Sequence, residues 1–156
     1  MFFTADSITV QRLIPAAPDR IFDLLADPAR HVEIDGSGTV RTSRGGSRRL
    51  GLGDTFGMTM HLGIGYATLN KVVELEEDRL IAWQTLAGGP LATVVTGRTW
   101  RYELEPRDGG TLVKETWDIS TERFTSRPFV RLMATSTRRN MEKTLERIEQ
   151  ALAAQA

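Results

Sequence analysis

The hydrophobic period of this chain changes once, and that change constrains its fold more than any other feature. From Thr39 to about Ser120, apolar and polar residues alternate with a period of two, the mark of half-buried strands. After Ser126 the apolar positions recur at helical spacing. Phe129, Leu132, Met133, Met141, Leu145, Ile148 and Leu152 read as one stripe, with Arg131, Arg138, Arg139, Glu142, Lys143, Glu146 and Arg147 largely on the other side. This predicts an amphipathic helix of about 25 residues, against roughly 11–12 for an average helix. An antiparallel sheet with one apolar face must be covered, and one long amphipathic helix is available to cover it.

The earlier segments fit the same plan. Ser7 to Ile14 reads as a strand with Ile8 and Val10, and by position Arg12, opposed to Thr9, Gln11 and Leu13. It stops at Pro15, which has no N–H to give to a ladder. Pro18 and Asp19, followed by Ile21, Phe22, Leu24 and Leu25, predict a short helix with proline in its tolerated first turn and an acid at its positive end. Asp27-Pro28 breaks that helix and starts a second short one through His31. Further strands are expected at Thr39 to Ser43, Asp54 to Leu62, Ala67 to Leu75, Arg79 to Leu86, Arg98 to Glu105 and Thr111 to Ile119. Phe56, Met58, Met60 and Leu62 share one face, as do Trp100, Tyr102 and Leu104.

The order is therefore strand, two short helices, six strands and a long helix. No repeat or composition shift divides it, and residues 1–156 read as a single domain. A sheet curved around one helix rarely closes completely, so an internal apolar cavity is expected, open at one end of the helix.

Composition excludes several function classes. Lys and Arg number 20 and Asp and Glu 20, so the formal net charge is zero, without the basic excess that phosphate binding needs. No nucleic-acid partner is expected. Arg41, Arg44, Arg48 and Arg49 form a local basic run, but Gly45, Gly46 and Ser47 interrupt it and a solvated loop is the simpler reading. The absence of cysteine removes disulfides, thiolate metal sites and thiol nucleophiles, and the two histidines, His31 and His61, make a histidine metal site improbable; none is expected. There is no secretory leader pattern at Met1 to Val10 and no apolar run of roughly 18 residues, so no membrane span and a cytoplasmic location are expected. The glycine pairs Gly45-Gly46, Gly51-Leu52-Gly53 and Gly63-Ile64-Gly65 match no phosphate loop, and no Gly-x-Ser-x-Gly elbow exists. Gly88-Gly89-Pro90-Leu91 reads as a turn or a flexible lid over the cavity mouth.

Four stretches resemble the START-like (SRPBCC) superfamily, in particular its polyketide cyclase/dehydrase-like branch. They are Ile14-Pro15-Ala16-Ala17-Pro18-Asp19-Arg20-Ile21-Phe22, Leu52-Gly53-Asp54-Thr55-Phe56, Arg79-Leu80-Ile81-Ala82-Trp83 and Gly109-Gly110-Thr111-Leu112-Val113-Lys114-Glu115-Thr116-Trp117. The resemblance implies an α+β helix-grip fold: a curved antiparallel sheet of about seven strands (β-α-α-β6-α) around a long C-terminal helix. It also implies a cavity for lipids, sterols or aromatic polyketides. Some members of the superfamily bind and carry ligands, others catalyse cyclisation or dehydration, and some are antitoxin-like or chaperone-associated. No universal catalytic signature comes with the resemblance, and no cofactor is implied.

Candidate site residues follow from the alternation. If Val113 and Trp117 face the helix, so does Glu115, and a carboxyl among Trp83, Trp100, Tyr102 and Met58 would be desolvated enough for general acid or base work. The competing readings are an ion pair with Arg98 or Arg101 at the cavity mouth, or a register with Leu112, Thr116 and Asp118 inward. His61 alternates away from the cavity unless a bulge near Gly63 re-aims it. His31 is expected at the end of the second short helix, near the cavity entrance, where a cation also complements the helix dipole. Met58, Met60, Trp83, Trp100, Tyr102, Trp117, Phe124, Phe129 and Met133 are the candidate ligand-binding residues, with Met141 in the same apolar set. Aromatic and methionine walls suit adaptable apolar pockets.

Three functions compete: carriage of a small hydrophobic molecule, a cofactor-free cyclase or dehydratase using Glu115, and an interaction module working through the exposed helix face. The third is weakest because that face mixes both charges. A monomer or homodimer is expected. One ionisable group or none at the cavity favours binding; a close acid/base pair favours catalysis.

Overall fold

The computed structural model describes residues 6–38, 40–44, 46–62, 64–87, 96–122 and 127–155, with the side chains of 40–44, 60–62, 64–66, 87, 96 and 129 excepted. Its strands are β1 (Ser7–Ile14), β2 (Val40–Arg44), β3 (Thr55–Leu62), β4 (Ile64–Glu76), β5 (Leu80–Ala87), β6 (Thr96–Arg107) and β7 (Gly110–Asp118). The helices are α1 (Pro18–Leu25), α2 (His31–Ile34), α3 (Arg127–Arg131) and α4 (Ala134–Ala153). The strands form one seven-stranded sheet in the order β1-β7-β6-β5-β4-β3-β2, antiparallel at every pairing. This is the helix-grip arrangement that the alternation and the single long helix demand.

β1 closes against the last strand, with Ile8 opposite Trp117 and Val10 opposite Glu115. Its inward residues Ile8, Val10 and Ile14 are buried, whereas Leu13 on the other face is half exposed. α4 packs along β1 and β7 and against α1 and α2. Met141, Leu145, Ile148 and Leu152 form its buried seam, which joins Ile21, Phe22, Leu24 and Leu25 of α1 in the core. Burying a side chain of this size contributes about 1.5–3 kcal/mol, so this seam anchors the fold.

Two helical expectations are corrected. The predicted continuous helix is broken at Leu132 and Met133 into α3 and α4. Leu132 is 84% exposed rather than part of the stripe. It precedes Met141 by two and a half turns at 3.6 residues per turn, which puts it on the opposite face. The second short helix is also different: Asp27 accepts a hydrogen bond from the Ala29 amide (3.0 Å) and opens a 3-10 turn over Pro28–Arg30, and α2 begins at His31 instead of ending there. β4 starts at Ile64 rather than Ala67 and runs for 13 residues.

α2 and α4 meet at backbone distance through Gly36. Its amide donates to Thr144 Oγ1 at 2.9 Å, and a methyl group placed on it would stand 2.6 Å from the Thr144 amide nitrogen and overlap the Asn140 carbonyl oxygen. The Arg147 guanidinium adds a hydrogen bond to the Asp35 carbonyl. Gly36→Ala should therefore lower the unfolding free energy by about 1–3 kcal/mol through overpacking. A denaturant midpoint equal to that of the wild type would refute the close approach of α2 to α4.

Candidate functional site

Between the inner face of β3–β6, α2 and the first half of α4 lies a cavity of about 400 Å³. The sheet contributes Phe56, Met58, Trp83, Trp100 and Tyr102; the helical side contributes Met133, Thr137, Asn140, Met141 and Thr144. Five of the apolar or aromatic residues expected at the ligand, Met58, Trp83, Trp100, Tyr102 and Met133, are thus brought together. Trp117 is not: it is buried in the core opposite Ile8 and Trp100 and does not line the cavity, although Glu115 on the same face of β7 does. Phe124 and the Gly88-Gly89-Pro90-Leu91 turn fall outside the described residues, as do the side chains of Met60, His61 and Phe129.

Glu115 faces inward with Val113 and Trp117, so the register with Leu112, Thr116 and Asp118 inward does not occur. It is almost wholly buried and sits directly across from Tyr102, whose hydroxyl donates to Oε1 at 2.8 Å. Oε2 has no hydrogen-bond partner. Neither arginine weighed as its ion-pair partner reaches it. Arg98 pairs with Glu122 (3.1 Å) and Arg101 with Glu74 (2.6 and 3.2 Å). Desolvation pushes the Glu115 carboxyl up to about 8, against a smaller downward pull from the Tyr102 hydrogen bond. The group is therefore a neutral acid at pH 7. Oε1 accepts from tyrosine, which leaves the acid proton to Oε2. Burial, then the adjoining Glu115, holds the Tyr102 phenol well above its ordinary range.

His31 also reaches the cavity. Its Nε2 lies 2.8 Å from the carbonyl of Leu25, the last residue of α1, and a carbonyl can only accept, so Nε2 carries the proton. That contact satisfies a carbonyl the helix end leaves unpaired. The ring stacks on Trp83 (5.0 Å, 22°) and meets Phe56 edge-on (5.4 Å), while Trp83 packs against Tyr102 at 5.4 Å. A continuous aromatic wall thus runs from the end of α1 to Glu115. Burial lowers the His31 pKa, which keeps the ring neutral, so the expected cation at a helix C-terminus is replaced by a neutral donor.

A polar row, of which only Arg98 had been considered at the cavity mouth, escaped the sequence reading. Thr68, Asn70, Thr85 and Arg98 all line the cavity, and Thr85 Oγ1 donates to Asn70 Oδ1 at 2.8 Å. Cross-strand pairing carried the missing signal: Asn70 is opposite Phe56 and Thr68 opposite Met58, and opposed residues share a face. Asp35, Ser37 and Ser136 add polar atoms at the helical side. The wall, expected to be apolar apart from one carboxyl, is in fact mixed. Among the described residues, no group of three or more His, Asp or Glu is placed to hold a metal ion.

The family model for polyketide cyclase/dehydrase and lipid transport matches residues 5–153. The chain belongs to that family. Its fold is shared with solved bacterial structures across almost their whole length. Protein MLL2253 of Mesorhizobium loti superposes with a TM-score of 0.71 at 16% identity, covering 96% of this chain and 98% of the other. A Rhodobacter sphaeroides protein gives 0.71 at 19% identity, covering 97% and 94%. The polyketide-cyclase-like protein Cgl2372 of Corynebacterium glutamicum gives 0.58 at 20% identity, covering 96% and 92%. In sequence the chain is 37% identical over 114 residues to the uncharacterized protein Rv0088 of Mycobacterium tuberculosis. That match takes in 72% of this chain and 46% of the relative, so it spans under half of the longer protein. Among the described residues no helix is long and apolar enough to cross a membrane.

The buried acid makes stability depend on pH. Glu115 binds its proton more tightly folded, at about 8, than at its ordinary value of 4.5, so the folded state holds the extra proton between those values and loses stability as pH rises through them. His31 acts the other way, but its contribution is complete above its ordinary 6.5. Between about pH 6.5 and 8 the unfolding free energy should therefore fall with rising pH, and Glu115→Gln should flatten that slope. Parallel slopes for the two proteins in denaturant titrations would show that Glu115 is not the group responsible.

Proposed function

We propose that this chain is one START-like domain that binds a small hydrophobic or amphipathic molecule, of the lipid, sterol or aromatic polyketide kind, in its internal cavity. It holds that molecule in the cytoplasm, as a monomer or homodimer. The observation that carries this reading is the cavity itself. A volume of about 400 Å³ lies within the range of small-molecule sites, and an aromatic and methionine wall with a few placed polar atoms is how such sites are built. Membership of a family described by both cyclisation and lipid transport supports the ligand class.

A second reading rests on one contact, the Tyr102–Glu115 hydrogen bond at the cavity wall. A carboxyl that keeps its proton at pH 7 can give it to a carbonyl or a departing hydroxyl, so Glu115 would act as general acid in a cyclisation or dehydration. His31, Asp35, Arg98 and Tyr102 line the cavity with Glu115, more ionisable groups than the one or none expected of a pure binding site. Among the described residues, however, no acid or base other than Tyr102 stands within hydrogen-bond reach of Glu115, so binding remains the leading function.

Native mass spectrometry of protein purified from its own host should show a co-purifying apolar molecule released on unfolding. Ser136 is an exposed residue on α4 at the cavity's edge, so Ser136→Trp should obstruct the entrance and weaken binding of that molecule at least tenfold while the fold persists. Unimpaired binding by that variant would count against the cavity as the site. If turnover is found for a candidate substrate, Glu115→Gln should abolish it under the second reading, and turnover left intact would remove Glu115 as the general acid.

A further inference from the structure

Two ends of the cavity hold buried polar atoms that the protein itself does not satisfy. At one end is Glu115 Oε2, whose sister oxygen is taken by Tyr102. At the other is Arg98. Its Nε donates to Glu122 at 3.1 Å, with the glutamate side chain fully buried, yet its Nη2 is buried without a partner. An ion pair that served only to fasten the chain near Glu122 would account for Nε and leave Nη2 unexplained. A buried donor without a partner destabilises the fold, and a ligand oxygen would relieve that cost.

Both residues line the same cavity, and both project from adjoining strands. Arg98 and Tyr102 are four residues apart on the same face of β6, about 13 Å along the strand at roughly 3.3 Å per residue. Between them lies Trp100, with Trp83 opposite it on β5, so the two polar ends are separated by an apolar, aromatic span. Glu122 already balances the Arg98 charge, so the free guanidinium N–H groups ask for an oxygen lone pair more than for a net negative charge.

Resting on the binding reading above, we propose that the ligand carries an oxygen acceptor at each end of an apolar body, one received by the Glu115 carboxyl and the other by Arg98 Nη2. The preferred class is a rigid dioxygenated molecule, such as an aromatic diketone, over a lipid with a single polar head. Asn70 and Thr85 bond to each other beside Arg98 and hold that end of the cavity polar.

Equilibrium dialysis of the intact chain against naphthalene, 2-acetylnaphthalene and 2,6-diacetylnaphthalene tests this. The diacetyl compound should bind at least fivefold more tightly than the monoacetyl compound, and a smaller gain overturns the two-ended site. In Arg98→Lys, which keeps a cation for Glu122 but has no second terminal nitrogen, the ratio between the two ketones should fall below twofold. A ratio that persists in this variant overturns the role of Arg98. If naphthalene and the monoacetyl compound bind but the second acetyl adds nothing, the inference fails and the binding reading stands. If none of the three binds, both fail.

Discussion

One helix has to cover seven strands, and most of the molecule follows from that mismatch. α4 has 20 residues, a rod about 30 Å long but only about 10 Å wide with its side chains. Seven strands spaced roughly 4.8 Å apart make a sheet nearly as wide as the helix is long. The helix settles along β1 and β7, where Met141, Leu145, Ile148 and Leu152 meet Ile8, Val10 and Val113 in one core. The inner face of β3–β6 lies beyond its reach. Curvature narrows that space without filling it, and the cavity is what remains.

The polar groups inside are tolerable because most of them are paired in advance. Thr85 answers Asn70, Glu122 answers Arg98, and Tyr102 answers Glu115. The last pair differs in kind. A charged carboxylate at that depth would be costly, so the site resolves the conflict by keeping the proton. A carboxylic acid buried in this way can donate as well as accept, a capacity no serine or asparagine in the same place would duplicate at comparable acidity.

Alternation narrowed the strand face of Glu115 to two registers and placed the aromatic positions Trp83, Trp100 and Tyr102 inward. Period two leaves a strand only two choices, and Val113 and Trp117 make one of them untenable outside. The break at Leu132–Met133 was less visible, since a stripe drawn through seven apolar residues hid a half-turn phase error. Trp117 was assigned to the ligand as an aromatic residue at an inward position, although whether an inward residue meets the cavity or the core depends on where along its strand it sits, as Glu115 on the same face shows. That is a property of tertiary packing. Thr68, Asn70 and Thr85 went unread because polar residues on a strand look outward until the register to Phe56 and Met58 is known, whereas Arg98 had been weighed at the cavity mouth. His31 was placed near the cavity entrance, but its neutral donor role was not legible, because its partner, the Leu25 carbonyl, exists only once α1 has ended.

The position of α4 against one side of the sheet divides the chain into two territories with different tasks. Along β1, β7 and the helix, each side chain is locked into neighbours on several elements, and a change there disturbs the whole. Where β3–β6 and Glu115 of β7 line the cavity, the inward residues look into open space on one side, so their identity is set by shape and polarity more than by jigsaw fit. Letters on that face can be exchanged while the scaffold beneath stands. A fold partitioned in this manner can acquire a new cargo by altering a handful of strand positions, without first having to relearn how to fold.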